Sequence, residues 1–356
     1  MADTDAEKLK EYAKRLFGAL GGAMTSAMVY LGDRLGLYRA LALLGSATSE
    51  ELARHTGLHE RWLREWLHQQ GAAGLLEHRG EGRFALTPEG ATVLADETHP
   101  AFGAGFFAQL PALVGVAERI GESFRTGLGH PYDALGAEGA AGVERGLAPW
   151  FRAMLVPFVL PRVPGIADAL RGGAQVADVG CGAGVALLEM AKAFPRSRFH
   201  GYDISEHALA RAERNREAVG VANASFHHAR RDPLPADGRF AFVTSFDCLH
   251  DMAHPAAVMR AVRTAIHPDG TWLIADIKAH PSYEENAQRN PMAAMMYGTS
   301  ILACMSSALS EPDGLGLGTL GFPESLARRM TGEAGFSRFE PLDLGHPVNA
   351  FYVVRP

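Results

Sequence analysis

From residue 172 to the C-terminus, short apolar runs alternate with stretches in which apolar residues recur every three or four positions. This alternation is typical of strands and helices that pack into an α/β sheet. The apolar runs predict strands over 176–179, 198–202, 224–228, 240–246 and 271–277, and a closing antiparallel hairpin over 338–344 and 350–354. The stretches between them predict helices over 185–191, 206–219, 255–265 and 323–333.

The N-terminal part of the chain has a helical pattern first and a mixed one afterwards. Apolar positions at helical spacing continue from Glu7 to about Leu44 and predict a long helical stretch. The elements expected next are a capped helix, a second helix and a two-stranded hairpin, over 48–56, 60–71, and 75–77 with 83–87. Helix, turn, helix and hairpin together predict a winged helix.

These patterns predict three parts of the chain. Residues 1–95 are expected to form the winged-helix domain, residues 96–170 a helical connector, and residues 171–356 a Rossmann-like domain. An insertion over 279–322 interrupts the alternation with a Met-rich helix and a glycine-rich loop. Because Met side chains adapt to varied surfaces, we interpret this insertion as a substrate lid, with ordinary helix packing as the alternative.

The charge of the winged helix decides what it is expected to bind. Residues 1–95 carry eleven basic and twelve acidic side chains, and the second helix mixes Arg61 and Arg64 with Glu60 and Glu65. A DNA-binding domain has a basic face that neutralises phosphates. We therefore predict a homodimerisation module and no nucleic-acid partner.

The whole chain has a net charge of −6, with 47% hydrophobic and 21% charged residues. That composition is typical of a globular protein, and its net charge favours neither nucleic acid nor an anionic membrane. No apolar run reaches the length of a membrane span, and the three cysteines have no paired spacing. The N-terminus is acidic where a secretion signal is basic. The predicted location is the cytoplasm, with no membrane partner.

The run Val176–Gly184, Val-Ala-Asp-Val-Gly-Cys-Gly-Ala-Gly, predicts a buried strand that ends in a glycine turn and opens a helix. Glycines at 180, 182 and 184 let the backbone approach a ligand closely, while the helix directs free N–H groups at it. The dinucleotide fingerprint G-x-G-x-x-G requires a glycine where Val185 stands. A second acid, Asp203, ends the next strand twenty-five residues after Asp178, where a nucleoside ribose needs an acceptor for its hydroxyls.

The pattern Asp178-x-Gly180-x-Gly182-x-Gly184 resembles motif I of the class I S-adenosylmethionine-dependent methyltransferases. The resemblance implies a Rossmann-like, seven-stranded methyltransferase sheet and S-adenosylmethionine as cofactor; an NAD-type or purely structural turn is the alternative. It also implies that Gly180 and Gly182 hold the methionine part above Asp178, and that Asp203 binds the ribose. The other residues assigned to the cofactor site are Cys181, Ile204, Ala229, Arg230, Ser245 and Phe246.

Within that set, Ile204 and Phe246 are expected to flank the adenine or the sulfonium. After the third strand, methyltransferases usually carry an acid that contacts the adenine amine. Here Ala229-Arg230-Arg231 comes first and Asp232 follows later, which leaves the adenine contact open.

The segment from Ser245 to Met252 follows the fourth strand and should border the cofactor, because ligands of open α/β sheets bind at the carboxyl ends of the strands. Its Leu249-His250-Asp251 resembles the Leu-His-Asp of the plant-type O-methyltransferases, which also have a winged-helix dimerisation domain. The resemblance implies that His250 is the general base, and a histidine is well matched to removing a hydroxyl proton near neutral pH. A structural role for His250 is the alternative, because methyl transfer also proceeds by orientation alone.

Two histidine spacings raise the question of a metal. His250 and His254 have zincin spacing, but Pro255 indicates that the helix begins after His254. His227 and His228 are neighbours in a strand and point to opposite faces. We predict no metal site from these spacings.

Over its whole length the chain resembles bacterial winged-helix methyltransferases, on Leu31–Tyr38, Thr48–Leu67, the glycine turn, Phe246–Met252, Pro268–Trp272 and Glu333–Phe336. The expected function is S-adenosylmethionine-dependent methyl transfer to a small molecule, with oxygen as the acceptor because of His250. The alternatives are a nitrogen or sulfur acceptor, or a regulator that senses S-adenosylmethionine through this domain and binds DNA through the winged helix.

Overall fold

The computed structural model describes residues 4–356. Within this range the chain forms two compact units. The first extends to Leu110 and also includes Arg145–Trp150; the second comprises Pro111–Glu144 and Phe151–Pro356. The domain limits given by the sequence analysis stay a prediction.

Two helices, rather than one, occupy the N-terminal stretch. Helix α1 (Ala6–Arg34) begins where the Asp5 carboxylate accepts hydrogen bonds from the first free N–H groups of the helix. Gly36 then adopts φ 71°, a left-handed conformation that ends the helical path, and α2 (Leu37–Leu44) starts directly after it. The prediction of one continuous stretch is wrong at this glycine.

The winged helix is present in the first unit, with a shorter wing than predicted. Its elements are α3 (Ser49–Thr56), α4 (Glu60–Ala72), β1 (Glu77–His78), β2 (Phe84–Ala85) and α5 (Pro88–Leu94). The N–H groups of Leu75 and Leu76 both donate to the Gln70 carbonyl, so these residues close helix α4 instead of lengthening the hairpin. The core of the unit includes Tyr38, whose ring meets Trp66 edge-on at 5.3 Å.

Between this winged helix and the sheet the chain is helical, as the predicted connector requires. The α-helices are α6 (Leu110–Gly115), α7 (Ala117–Thr126), α8 (Gly136–Trp150) and α9 (Ile166–Gly172). Three 3-10 segments cover Ala104–Gln109, Tyr132–Leu135 and Leu160–Arg162. Phe151–Val159 is a π-helix containing Pro157, whose missing N–H interrupts the regular hydrogen-bond pattern.

The second unit is built on a seven-stranded sheet, and its strands are β3 (Gln175–Val179), β4 (Arg198–Asp203), β5 (Ala224–His228), β6 (Phe240–Phe246), β7 (Ile266–Ile277), β8 (Arg338–Leu342) and β9 (Asn349–Arg355). The order across the sheet is β5-β4-β3-β6-β7-β9-β8. Strands β3 to β7 run parallel, whereas β9 is antiparallel to β7 and β8. The predicted sheet and its closing hairpin are confirmed.

Helices pack against this sheet, and the apolar side chains of its central strands are buried. The helices that follow the strands are α10 (Val185–Ala193), α11 (Glu206–Val219) and α12 (Pro255–Ala265). The order of the strands reverses at β3, because the chain goes from β5 at one edge back to β6 on the other side of β3. A crevice at the carboxyl ends of the strands forms at such a reversal.

The predicted insertion is helical, with α13 (Tyr283–Arg289), α14 (Ala293–Thr299), a π-helical turn (Ser300–Cys304) and α15 (Met305–Ala308); α16 (Glu324–Glu333) follows it. Its methionines divide between two environments. Met296 is buried against Ala293 and Leu320, whereas Met295 is exposed. Within residues 4–356 no single helix is long and apolar enough to cross a membrane, although one bent pair, Tyr132–Arg162 with Ile166–Gly172, meets both criteria together.

Candidate active site

Four parallel strands end at one edge of the sheet, and most of the candidate residues follow those ends. The strands close with Val179, Asp203, Phe246 and Ile277. Because β3, β4, β6 and β7 are neighbours in the sheet, the segments after them meet in the crevice. The glycine turn follows β3, and the Leu-His-Asp segment follows β6.

The three glycines of the turn have different roles. All have positive φ, with 76° at Gly180, 53° at Gly182 and 75° at Gly184. A Cβ on Gly180 would lie 2.6 Å from Cys248, and one on Gly184 would lie 2.5 Å from the Phe226 ring, so both positions exclude larger residues by packing. A Cβ on Gly182 would meet no described atom within 4 Å. Gly182 therefore presents bare backbone to open space, which is where a ligand can approach.

Asp203 lies directly beside this turn. Its Oδ2 accepts a hydrogen bond from the Gly182 N–H at 2.8 Å, and its Oδ1 accepts one from the Ser205 N–H at 2.8 Å. Burial raises the pKa of the Asp203 carboxyl despite these hydrogen bonds. The next residue, Ile204, has 45% of its surface exposed, so an apolar side chain faces outward next to a hydroxyl acceptor.

Asp178 and Cys181 support the turn from inside. Asp178 is almost fully buried and accepts a hydrogen bond from Thr244 Oγ1 at 2.7 Å. Burial raises its pKa to about 7. The Cys181 thiol is buried beside the Gly182 carbonyl, and burial raises the pKa of this thiol as well. Both side chains lie beneath the turn rather than on its open side.

The segment after the third strand is attached to the same place. The Ala229 N–H donates to the Asp203 carbonyl at 2.8 Å, and the Arg230 side chain forms an ion pair with Glu311. Asp232 contacts His227 instead, with 2.5 Å between Oδ2 and Nδ1. Asp232 is thus engaged by His227, and the contact to the adenine, like the assignment of Ala229 and Arg230 to the cofactor site, stays a prediction.

The two candidates at the end of β6, Ser245 and Phe246, have different surroundings. Phe246 packs edge-on against Phe151 with 5.1 Å between ring centroids. Ser245 is fully buried, and its hydroxyl accepts a hydrogen bond from Trp272 Nε1 at 3.1 Å. Side chains alternate in direction along a strand, so the Ser245 and Phe246 side chains point to opposite faces, and the assignment of both residues to the cofactor site stays a prediction.

His250 lies in a short 3-10 turn, Leu249–Asp251, and is 3% exposed. Its Nδ1 is 2.5 Å from Oδ1 of Asp276, a residue of β7 that is 1% exposed. That oxygen also accepts the Ile277 N–H at 2.7 Å. Because the carboxylate accepts the hydrogen of Nδ1, the lone pair of the neutral ring is on Nε2.

Opposing influences set the pKa of His250. Burial on its own lowers that pKa, but the charge of Asp276, together with hydrogen bonds to Asp276 and Cys304, raises it well above 6.5. Burial also raises the pKa of Asp247 and of Asp251 to about 7, because a buried carboxylate loses hydration. The site therefore holds a strong base among acids that resist ionisation.

A third side chain reaches His250 from the insertion. One donor atom each from His250, Asp251 and Cys304 lie within 4.8 Å of one another, a set that is able to hold a metal ion. His254 is not part of it, because its Nε2 contacts Glu311 at 2.9 Å. His254 is thus paired with Glu311, and the donor set instead brings the distant Cys304 to the adjacent residues His250 and Asp251.

Sequence reasoning missed two of the residues that surround His250. Asp276 is an acid inside an otherwise apolar strand, and that interruption is a signal that sequence alone offers. The insertion brings Cys304 to the site, and the spacing of Cys304 from the other cysteines does not predict this position. Tyr132 also lies near Asp251 and Cys304, and burial together with their charges raises its pKa.

The chain is similar to known proteins in two of its segments. Residues 170–314 match the family described as "Methyltransferase domain", and residues 23–96 match the "Rv2258c-like winged HTH domain". Among curated proteins, the ubiquinone biosynthesis O-methyltransferase of Neisseria meningitidis serogroup C is 32% identical over 130 residues, which are 35% of this chain and 52% of that protein. The chain thus spans about half the length of this curated relative.

Solved structures extend the likeness to the whole chain at the level of the fold. A candidate O-methyltransferase of Nostoc punctiforme superimposes with a TM-score of 0.73 at 17% identity, covering 99% of this chain and 100% of that one. Human N-acetylserotonin methyltransferase, solved in complex with S-adenosylmethionine, gives 0.64 at 17% identity, with 100% and 99% covered. The predicted fold class and the N-terminal winged helix are confirmed.

Proposed function

The chain carries a methyltransferase domain behind an N-terminal winged-helix domain, and on this premise we propose that it transfers a methyl group from S-adenosylmethionine to an oxygen of a small molecule. The observation that carries the proposal is the His250–Asp276 pair, which lies at the carboxyl ends of the strands, as Gly182 and Asp203 do. One part of that edge suits a nucleoside cofactor, and the other suits removal of a proton.

The residues at the edge fit the cofactor. Gly182 leaves room above the turn, Asp203 offers two oxygens to a ribose diol, and the exposed Ile204 offers an apolar surface to a base. Gly180 and Asp178 hold the turn beneath the methionine part, with Cys181 packed alongside. Ala229, Arg230 and Phe246 border the remaining cofactor surface. When bound, S-adenosylmethionine supplies a methyl group on a positively charged sulfur.

His250 supplies the base. Methyl transfer forms a bond between the acceptor oxygen and the methyl carbon as the carbon–sulfur bond breaks, and a neutral hydroxyl attacks poorly unless it loses its proton. Nε2 of His250 takes that proton, and the resulting imidazolium is stabilised by the Asp276 carboxylate on Nδ1. Asp276 acts as a positioning residue, because it fixes the tautomer without touching the acceptor.

The insertion covers this site as a substrate lid. Cys304 lies beside His250, and the Gly318 N–H donates to the His250 carbonyl at 3.0 Å. Farther along, the Leu315 N–H donates to the Ala253 carbonyl at 2.9 Å. Excluding water from the acceptor protects the nucleophile and strengthens electrostatic interactions at the site.

A homodimer is part of the proposal, through the exposed face of α1. Large apolar side chains there repeat at helical spacing and are each more than half exposed: Leu9, Tyr12, Leu16, Phe17, Leu20 and Met24. A row of this length on a soluble helix indicates a partner surface, and a second copy presents the same row. Light scattering should give twice the mass of one chain, and Leu16→Glu with Leu20→Glu should reduce it to the mass of one.

The free thiols of Cys181, Cys248 and Cys304 support a reducing, cytoplasmic location.

The function is tested in two steps. Calorimetric titration should detect S-adenosylmethionine and not NAD, with Asp203→Ala as the blank. Phenolic and other hydroxyl-bearing compounds are then screened for release of S-adenosylhomocysteine. Turnover of amines or thiols in preference to hydroxyls would contradict the oxygen acceptor, and binding of NAD alone would contradict the cofactor.

A further inference from the structure

A second cluster of polar side chains lies on the face of strands β4 and β5, away from the functions described above. His200 of β4 is the register partner of Ser225 of β5, and His227 is two positions along from Ser225, so its side chain is on the same face. Strand β5 is the edge of the sheet. The two histidines are thus neighbours across strands although they are distant in sequence.

The outer nitrogen of each ring is held by an oxygen. His200 Nε2 is 3.0 Å from Oε1 of Gln175, and His227 Nδ1 is 2.5 Å from Oδ2 of Asp232. Both oxygens accept hydrogen bonds, so each ring carries its hydrogen on the outer nitrogen. The inner nitrogens, Nδ1 of His200 and Nε2 of His227, therefore carry lone pairs.

These lone pairs converge. The two inner nitrogens are 3.5 Å apart, and Ser225 Oγ lies 3.1 Å from that of His200 and 2.9 Å from that of His227. The Ser225 hydroxyl has one hydrogen, which it donates to only one of the nitrogens. The other lone pair then faces oxygen and nitrogen lone pairs, an unfavourable arrangement that a bound cation would relieve.

The separation also matches a metal centre. Two nitrogen ligands at about 2.0–2.1 Å from a tetrahedral Zn²⁺ are about 3.3–3.4 Å apart. Oxygen acceptors on the non-ligating nitrogens are the usual outer partners of metal-binding histidines. The His227 ring also stacks on Tyr202 at 4.9 Å, which fixes its plane, and its side chain is 23% exposed, which gives an ion access.

We propose that His200 Nδ1 and His227 Nε2 bind one divalent transition-metal ion of the class that imidazole favours, such as Zn²⁺. Ser225 Oγ and water complete the coordination. The ion joins the edge strand β5 to β4, the strand that ends in Asp203. This site is separate from the donor set of His250, Asp251 and Cys304, and it does not depend on the proposed methyl transfer.

The test is calorimetric titration of the full chain with Zn²⁺, in a Cys304→Ser background that weakens the other donor set. We expect one equivalent to bind. His200→Phe or His227→Phe should weaken binding by at least about 100-fold, and the milder Asp232→Asn by about 10-fold. The matched control is His228→Phe, the adjacent histidine on the opposite face, which should bind Zn²⁺ as before.

Thermal unfolding gives a second readout that does not depend on calorimetry. Zn²⁺ at about 100 times its Kd should raise Tm by about 5 °C in the Cys304→Ser protein and in His228→Phe, but not in His227→Phe. Nitrogen NMR of labelled histidines should show the Nε2–H tautomer for His200 without metal. A folded protein that binds no Zn²⁺, or equal binding by His227→Phe and His228→Phe, would overturn the proposal.

Discussion

His250 and His227 each bring Nδ1 to within 2.5 Å of an aspartate oxygen, that of Asp276 in one pair and that of Asp232 in the other. The side chains of the first pair are 3% and 1% exposed, whereas those of the second are 23% and 67% exposed. The same contact is therefore made in two different dielectric surroundings. The geometry of a histidine–aspartate pair alone does not decide its chemistry.

What surrounds each pair decides it. The buried His250 interacts with three acids, Asp247, Asp251 and Asp276, whereas on the edge strand β5 Asp232 contacts His227, whose other nitrogen faces His200. A buried ring among acids is a strong base that can accept and hold a proton. A partly buried ring beside another histidine presents a lone pair that suits a cation.

The largest effect that separates the two pairs is expected for His250→Ala. Without the base, kcat for a hydroxyl acceptor should fall by about 10²–10⁴. Affinity for S-adenosylmethionine should stay within about 3-fold, since His250 does not contact the cofactor in this proposal. Steady-state kinetics and calorimetry check the two parts, with His267→Ala, an exposed histidine of β7, as the control. Unchanged kcat would give His250 a structural role.

Asp203→Ala separates the two regions along one strand, because β4 carries both His200 and Asp203. Loss of the carboxylate that we propose accepts the ribose hydroxyls should weaken S-adenosylmethionine binding by about 10–100-fold. Zn²⁺ binding should be unaffected, since the metal is expected on the face of the strand. Parallel titrations with both ligands provide the measurement. A joint loss would indicate that the strand end had collapsed.

A smaller effect is expected for Asp276→Asn, and it appears in the pH profile. Turnover needs a neutral His250, and the charge of Asp276 helps to hold the pKa of His250 well above 6.5, so the rate of the wild type should rise with pH into the alkaline range. Removing that charge lowers the pKa, so the rising limb should move to lower pH by about one unit, with a reduced plateau. The profile of kcat/KM against pH measures both.

The control for that profile is Asp269→Asn, which changes a carboxylate that is almost fully exposed on the same strand. Its limb should coincide with the wild-type limb. If Asp276→Asn also left the limb in place, the titrating group would not be His250.

Much of the fold follows from the sequence because its signals are local. Strands β5 and β6 have the predicted limits. The glycine turn is recognisable because its residues are contiguous in the chain. Local signals also have local failures. The apolar spacing predicts a helical stretch across Gly36, whereas the chain forms two helices separated at this glycine. Leu75 and Leu76 were assigned to the predicted hairpin, whereas their N–H groups close the end of helix α4.

The sequence predicts those site residues that belong to a local motif, but not the contacts between segments that are distant along the chain. His250 and Asp203 each follow a strand in a characteristic setting. The partner of His250 depends on register across the sheet, since Asp276 is twenty-six residues away, and the approach of Cys304 depends on how the insertion packs. In the sequence, the histidine adjacent to His227 is His228, whereas the histidine that lies beside His227 in space is His200.

The smallest of these effects concerns the excess of acids around the buried pair, and Asp247→Asn tests it through stability. Burial raises the pKa of Asp247 from 3.8 to about 7, so between about pH 4 and pH 7 this carboxyl ionises in the unfolded state but stays protonated in the folded state, and stability falls as the pH rises. The neutral amide escapes this cost, keeps an acceptor for Asn349, and tolerates the positive φ of 50° at this position. At pH 8 the variant should therefore have a free energy of unfolding higher by about 1–2 kcal/mol, and below pH 4 the difference should vanish.

Urea unfolding at both pH values measures this difference, with Asp269→Asn expected to show no gain in stability at either pH. A variant less stable than the wild type at pH 8 would mean that Asp247 is ionised and favourably paired, and that the acids around His250 are not in excess.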